Sequence, residues 1–376
     1  MSQPQNTSGR APPAMPESVL LIVTRRMGDV LLASPLVRSI RAAWPDTAID
    51  VLVFDGTKDV FAGHPDVRRV LTVPERPKLV EHLRFLYRLF RNRYDVALSC
   101  VASDRPTLYA IAGGRWRAGF VVPGRTSGWK YWFLSRPIAF DNVDTHTVAM
   151  NLALTDALGV ARRHDIDIRW STDDAARVAS HLSAIEAGKP YAALHVHPKF
   201  NYKMWHIDGW IGLAQWLRER GIGAVLTGGT EPAEVEFAAV VAAQMPAGTV
   251  NLVGQLTLAQ SACAIAGARV YVGPDTLTTH MAAAIGVPTV ALYGPSNPVK
   301  WGPWPKNFAG TMSPWRRVGN QSIGNVLLVQ GVGACVPCMR EGCDQHVASF
   351  SECLRQLPLP TVTAAVERAL QAQAVA

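Results

Sequence analysis

No stretch of this chain reaches the roughly 20 consecutive apolar residues that a membrane-spanning helix requires, so no transmembrane segment is expected. Residues 1–16 are polar and Pro-rich and lack the apolar core of a secretory signal; they read as a disordered tail. The apolar run Val19-Leu-Leu-Ile-Val23 is too short for a signal and fits a buried strand. The expected location is therefore the cytoplasm, where Cys100 and Cys263 read as free core thiols. The G-x-G-x-x-G dinucleotide fingerprint is absent, and Gly124-Arg-Thr-Ser-Gly128-Trp-Lys130 has the wrong spacing for a P-loop. There is no short-period repeat and no nucleic-acid module signature, so a nucleic-acid partner is not expected.

Charge is sparse as well. Charged residues make up 18% and hydrophobic ones 48%, the balance of a folded chain rather than a disordered one. The 376 residues leave room for two domains, each with its own core. A formal net charge of +8 fits a basic surface without a partner. It equally fits an acidic substrate, an anionic membrane or nucleic acid, and the count alone does not choose.

From residue 19 onward, strand-like and helix-like runs alternate. Strands are expected near 19–24, 48–53, 94–99 and 118–122, then near 191–196, 223–227, 249–252, 269–272 and 288–292. Helices are expected near 31–43, 79–92, 146–158, 207–219, 232–244, 257–266 and 277–285. Such alternation predicts parallel sheets with covered faces. Asp173–Pro190 reads as the crossover between two Rossmann-like halves, and 360–374 as a helix packing back on the body.

The most informative run is Gly273-Pro-Asp275-Thr276-Leu277-Thr278-Thr279-His280. It lies between a buried strand and a helix of small residues that stops at Gly286. Asp275, Thr276 and Thr278 or Thr279 are suited to cap that helix, and a helix start is a ready anion site. In such sheets, ligands bind at the carboxyl ends of strands. Three further loops share that position. Arg26-Met27-Gly28-Asp29-Val30 places a carboxylate where either a helix cap or a general base would sit. His195 to Trp205 offers cationic and titratable groups, Lys203 among them, that suit a diphosphate; it also reads as a solvated loop over Trp205 and Trp210. Gly228-Gly229-Thr230-Glu231 lets a backbone approach a ligand, with Glu231 able to accept from sugar hydroxyls; a plain strand-to-helix turn uses the same residues.

Two features stand apart. Cys335, Cys338, Cys343 and Cys353 fall within 19 residues, and their spacing leaves open a structural zinc site or four reduced thiols. In Glu81–Arg93, the apolar residues Leu83, Phe85, Leu86, Leu89 and Phe90 are interleaved with arginines. That is an ordinary core-facing helix or a basic helix at an anionic membrane surface.

In order and spacing, these loops resemble the heptosyltransferases of lipopolysaccharide core synthesis, glycosyltransferase family 9. The anchors are Met27-Gly28-Asp29-Val30-Leu31, Lys203-Met-Trp205, Gly228-Gly229-x-Glu231, and Asp275-Thr276-x-x-x-His280 with Tyr293-Gly294-Pro295. The run from Gly294 to Trp304 is most similar to the branch that adds the third, side-branch heptose. Leu277 departs from the family, which usually has a small residue there. The resemblance implies an α/β GT-B fold, two Rossmann-like domains facing across a cleft. Residues 17–175 would bind the acceptor, 190–355 the donor, and 356–376 would form the C-terminal helix. It implies Asp29 as catalytic base, Lys203 as the cation on the donor phosphates, and a donor site of Gly28, Glu231, Asp275, Thr276, Thr278, Thr279 and His280. Glu234 is the near rival of Glu231. The implied reaction is inverting transfer of heptose from ADP-heptose to a hydroxyl of the lipopolysaccharide inner core, with no cofactor or catalytic metal. It would take place at the anionic cytoplasmic face of the inner membrane. The alternatives are heptosyltransferase I or II specificity, or another GT-B nucleotide-sugar enzyme such as an epimerase.

Overall fold

The structure is a computed structural model that describes residues 10–122, 128–185 and 189–374. Most of the P-loop-like run at Gly124, and the first nine residues of the expected tail, lie outside them. From Arg10 on, the tail is held: the Trp116 indole donates to the Arg10 carbonyl, Trp44 to Ala14, and the Thr47 hydroxyl to Pro16. Expected disorder over 1–16 therefore does not extend to this part. Composition cannot reveal that indoles elsewhere in the chain will find these carbonyls.

The chain divides into two compact units, residues 1–167 and 168–376. The first has strands β1 (Ser18–Ile22), β2 (Ala48–Phe54), β3 (Arg69–Val73), β4 (Tyr94–Ser99), β5 (Gly114–Val121) and β6 (Arg136–Ala139). All pairs are parallel, in the order β3-β2-β1-β4-β5-β6. Its helices are α1 (Met27–Leu31), α2 (Ser34–Ala43), α3 (Leu79–Arg91), α4 (Asp104–Gly113), α5 (Lys130–Phe133) and α6 (Thr147–Leu158). Alternate residues of a strand face opposite ways. Accordingly Val19, Leu21 and Val23 join a core with α2 and α6, while Leu20 and Ile22 join one with α3 and α4. Apolar residues on both faces are why β1 reads as one continuous run. The exception in this sheet is Asp50, fully buried on β2. It accepts hydrogen bonds from Arg68, Arg69 and Tyr94, which hold its carboxyl below the usual range although burial pushes it up.

In α3, Leu89 is buried, and Phe85 and Leu86 pack against the core. Leu83 and Phe90, which a core-facing helix would cover as well, are exposed. The helix is not simply core-facing, because its core covers only one of two adjoining apolar arcs.

The second unit has α7 (Thr172–His181), β7 (Tyr191–Leu194), α8 (Ile207–Arg218), β8 (Gly223–Leu226), α9 (Pro232–Ala242), β9 (Val250–Asn251), α10 (Leu258–Ala266) and β10 (Val270–Pro274). There follow α11 (Leu277–Ile285), β11 (Thr289–Tyr293), α12 (Pro298–Trp301), β12 (Gln321–Ile323), β13 (Val326–Gln330), α13 (Glu352–Arg355) and α14 (Leu359–Ala374). The sheet order is β12-β13-β11-β10-β7-β8-β9, parallel except for the β12–β13 pair. Helix α7 starts with a capping box at Ser171 and Asp174, and Asp174 also accepts from Gln260 of α10. The stretch expected as crossover thus contributes a helix to this unit. Helix α14 buries Val362, Ala365, Val366 and Ala369 in the unit's main core, beside Trp205 and Trp210.

Among the parallel strands of each sheet the chain order reverses between β1 and β4 and between β7 and β10. Loops leaving strands on either side of such a reversal diverge, and the gap they leave is where open α/β sheets hold ligands.

Candidate active site

In the second unit, the loops after β7 and β10 meet at the reversal. Lys203, in a short 3-10 turn after β7, reaches Asp275 at the end of β10; Nζ lies 2.6 Å from Oδ2 and 3.2 Å from the Asp275 carbonyl. His280, one turn into α11, places Nε2 3.8 Å from Oδ1 of the same carboxylate. The Tyr293 hydroxyl sits 3.1 Å from Oδ1 and 2.6 Å from the Trp301 carbonyl, with one proton for the two. Burial pushes the Asp275 carboxyl up, but Lys203, His280 and a Ser296 hydrogen bond outweigh it, and the group is held below its ordinary value. Asp275 is thus a buried anion that fixes Lys203 beside the start of α11.

The capping expected there does not occur. Thr276 is the N-cap residue, yet it makes no side-chain cap hydrogen bond. The threonine hydroxyls turn back towards the strand. Tyr271 Oη lies 2.8 Å from Thr278 Oγ1 and 3.0 Å from Thr279 Oγ1, and Thr276 Oγ1 lies 3.1 Å from Thr278 Oγ1. Gly273 makes this possible: a Cβ there would collide with the Tyr271 hydroxyl. The first N–H groups of α11 thus have no side-chain acceptor from Thr276, and the positive end of the helix dipole lies at this start, next to the Asp275 that Lys203 contacts. Tyr293 stands among the anchors of the family resemblance, but nothing in the sequence gives it or Tyr271 this role. Their signal was only that both are large polar-tipped residues on fully buried strands, where a hydroxyl must find a partner.

The remaining titratable groups of the β7 loop are less cationic than their residue types suggest. Burial holds His195 down to about 4, and its ring Nδ1 lies 2.9 Å from the Thr227 carbonyl. His197 is lowered by burial too, and its ring packs on Phe237. Near pH 7 the positive charge of this loop therefore rests on its lysines. In the loop after β8, Glu231 is exposed at the N-cap of α9 and makes no cap hydrogen bond. Glu234 is the more engaged carboxylate. It accepts from the Gly229 N–H at 2.8 Å, leaves no room for a Cβ on Gly228, and is raised by burial.

In the first unit, Asp29 is the third residue of α1, and Arg26 holds the N-cap position. The capping reading of Asp29 is thereby removed. Its carboxylate is 15% exposed, with Arg25 Nε 3.7 Å away. Gly28 precedes it in the first turn of α1, the helix that follows β1 at that sheet's reversal. Asp167, two residues after Asp165, lies 3.2 Å from His64 Nε2 and 3.6 Å from Arg38, and with His64 and Asp66 it brings three ligand atoms within 4.8 Å of one another.

The cysteine segment has no helix or strand between β13 and α13. Cys335 and Cys343 are exposed, Cys338 is half-buried, and Cys353 is buried. No three of the four thiols bring their sulfurs within 4.8 Å of one another, so the geometry of a closed zinc site is not formed. Burial pushes the Cys353 thiol up to about 12, and the other three thiols add to the effect.

Two Rossmann-like units, each with its polar loops at the sheet reversal, are the architecture of the GT-B class of nucleotide-sugar enzymes. Residues 82–324 match the family model described as glycosyltransferase family 9 (heptosyltransferase), and the chain belongs to that family. It is 24% identical over 294 residues to lipopolysaccharide heptosyltransferase 3 of Escherichia coli (strain K12), covering 76% of this chain and 84% of that one. It is 28% identical over 300 residues to lipopolysaccharide heptosyltransferase 1 of Pseudomonas aeruginosa, covering 74% and 79%. In fold it is similar to the E. coli heptosyltransferase WaaC with ADP, at a TM-score of 0.68 and 21% identity over 94% of this chain and 99% of the other.

Proposed function

We propose that this protein transfers a heptose from ADP-heptose to a hydroxyl of the lipopolysaccharide inner core, with inversion, and that the heptose is the third, side-branch one. The observation that carries the reading is the Lys203–Asp275 pair beside the start of α11. A leaving diphosphate needs a fixed cation and fixed N–H donors, and this arrangement supplies both without reorganisation. Asp275, its charge already engaged by Lys203 and His280, acts as a positioning residue.

In this reading Asp29 takes the proton of the acceptor hydroxyl. The oxygen forms a bond to the anomeric carbon from the face opposite the diphosphate. The carbon–oxygen bond to ADP breaks, and its electron pair leaves on the β-phosphate, where Lys203 and the α11 N–H groups meet it. Gly28, next to Asp29 in the first turn of α1, has no side chain to stand between that carboxylate and a ligand. Thr276, Thr278 and Thr279 shape the donor loop, and Glu231 or Glu234 accepts from the ribose. Each step uses groups of this chain, and no cofactor is required. The names of the relatives, lipopolysaccharide heptosyltransferases 1 and 3, support the donor and acceptor classes. The side-branch position rests on the Gly294–Trp304 run, with heptosyltransferase I or II specificity as the alternative. An acceptor anchored in a lipid layer puts the work at an anionic membrane surface, on its cytoplasmic face. Among the described residues no helix is long and apolar enough to cross a membrane, so contact would be peripheral. The test is incubation with ADP-heptose and defined core oligosaccharides, followed by mass spectrometry. One heptose added only to an acceptor that already carries two supports the reading. Addition to a heptose-free core reassigns the step, and release of free sugar and nucleotide without acceptor marks an epimerase-like enzyme.

A further inference from the structure

Around α3, at about 100° per residue, three arcs follow one another. Phe85, Leu89, His82 and Leu86 face the core. Next come Leu79, Phe90, Leu83, Tyr87 and Val80 over an arc of about 100°. These are exposed, Leu79 at 72%, Tyr87 at 63% and Leu83 at 56%. Then come Arg91, Arg84 and Arg88, and beyond the helix end Arg93 stacks on the Phe90 ring with Cζ 4.3 Å from its centroid. A helix that needs only one face for its core has no reason to keep a second apolar arc in water.

A second observation lies at the edge of the arginine arc. A groove of about 260 Å³ runs between α3 and the β3 edge, lined by Arg84, Arg88, His82, Phe85 and Tyr109 among others. Glu81 also lines it, but its carboxylate is engaged by the Lys78 N–H. Tyr109 is fully buried, and its hydroxyl and His82 Nε2 are buried without a hydrogen-bond partner. Two unsatisfied polar atoms beside two guanidinium groups suit an oxyanion.

We propose that α3 is the element by which this protein docks on an anionic phospholipid surface. The Leu79–Phe90 arc enters the headgroup–acyl boundary, and Arg84 and Arg88 take headgroup phosphates at the groove. The inference deepens the functional reading, since it rests on an acceptor carried by an anionic lipid layer. Charge complementarity decides the occupant. A second copy would set one arginine arc near another, whereas a phosphate layer neutralises it, and each basic residue near such a surface adds attraction.

The test uses the full chain and vesicles without donor or acceptor. Wild-type protein is expected to cosediment with phosphatidylglycerol-containing vesicles at least tenfold more tightly than with pure phosphatidylcholine, and salt should weaken it. Leu83→Glu with Phe90→Glu should lose binding at least tenfold. Arg84→Ala with Arg88→Ala should lose the preference for phosphatidylglycerol. Both pairs should keep the wild-type melting temperature within a few degrees, and keep transfer to a water-soluble, deacylated acceptor within twofold. Equal binding to both lipids overturns the proposal, as does wild-type binding by the variants. So does a lipid-free dimer, seen by sedimentation, that the Glu variants break. If vesicles bind as stated but no heptose is transferred to any core acceptor, the functional reading falls and the docking surface stands. Transfer without vesicle binding overturns the docking surface and leaves the functional reading in place.

Discussion

Lys203 and Asp275, 72 positions apart in sequence, are joined at 2.6 Å where the second sheet reverses its order. The pair explains why a buried carboxylate is tolerated at a site proposed to bind a polyanion: its charge belongs to the lysine. It also makes a single substitution ambiguous, because removing the lysine both deletes a phosphate contact and strands Asp275. Lys203→Met should therefore lower stability by about 2–3 kcal/mol and transfer by about 10²–10³-fold. Adding Asp275→Asn should restore much of the stability without restoring ADP binding or transfer. Thermal melts and calorimetry with ADP on the four members of this cycle separate the two effects. Full ADP affinity in Lys203→Met would make the lysine a structural partner only.

Asp29 sits inside α1 rather than at its cap, with Arg25 Nε 3.7 Å from its carboxylate. Asp29→Asn should keep the melting temperature and ADP affinity and lose turnover by about 10²–10⁴-fold, the usual contribution of a general base. A turnover within tenfold of wild type would remove it from the chemistry.

Of the two glutamates after β8, Glu231 is exposed and Glu234 accepts the Gly229 N–H. Glu231→Ala should weaken ADP binding several-fold with an unchanged melting temperature. Glu234→Ala should cost about 1–2 kcal/mol of stability by leaving that N–H without its acceptor. If instead only Glu234→Ala weakens ADP at matched stability, the ribose contact belongs to Glu234.

The four C-terminal cysteines do not converge, and only Cys335 and Cys343 are exposed. Thiol titration of the folded protein should modify these two first and spare Cys353 and Cys100, both pushed up to about 12 by burial. Metal analysis should show less than one equivalent of zinc, and a chelator should leave transfer unchanged. One tightly held equivalent that protects all four thiols would mean the segment closes around a metal.

Much of this architecture was legible because parallel strands buried on both faces are continuous apolar runs. β4 and α11 fall at their expected bounds, Tyr94–Ser99 and Leu277–Ile285. What was missed has physical causes. β3 begins with Arg69, whose head serves Asp50, so the strand looks polar at its entry. Val326–Gln330 is itself a buried apolar run parallel to β11 and was readable as a strand; only its outer partner, the three-residue β12, has nothing local to announce it. At the site, Asp and Thr before a helix read as caps, since that is their commonest local use. The structure sends the threonine hydroxyls to Tyr271 and Asp275 to Lys203, partners that lie on other elements. For α3, periodicity found the apolar residues but could not divide them between two arcs.

His195 carries a resolved share of the pH dependence, and His197 and His164, also held down by burial, add to it with the same sign. His195 is buried, and its folded value is about 4 against an ordinary 6.5. Above pH 6.5 the ring is neutral folded or unfolded and adds no slope. Between 6.5 and 4 the unfolded chain takes up a proton that the folded one refuses, so stability falls as pH falls. The full loss, reached below about pH 4, is of the order of 3 kcal/mol. Asp275 is also lowered, but its contribution is lost only below its ordinary 3.8, so the two windows are separate. His195→Asn keeps a donor for the Thr227 carbonyl and has no proton to gain. Its melting temperature should change less than that of wild type between pH 7 and 4.5, and the two proteins should converge in slope below that. Melts by calorimetry at half-unit steps decide the matter: parallel curves for the two proteins across pH 6.5–4 would mean that His195 is protonated in the folded state, and that the charge of the β7 loop includes it after all.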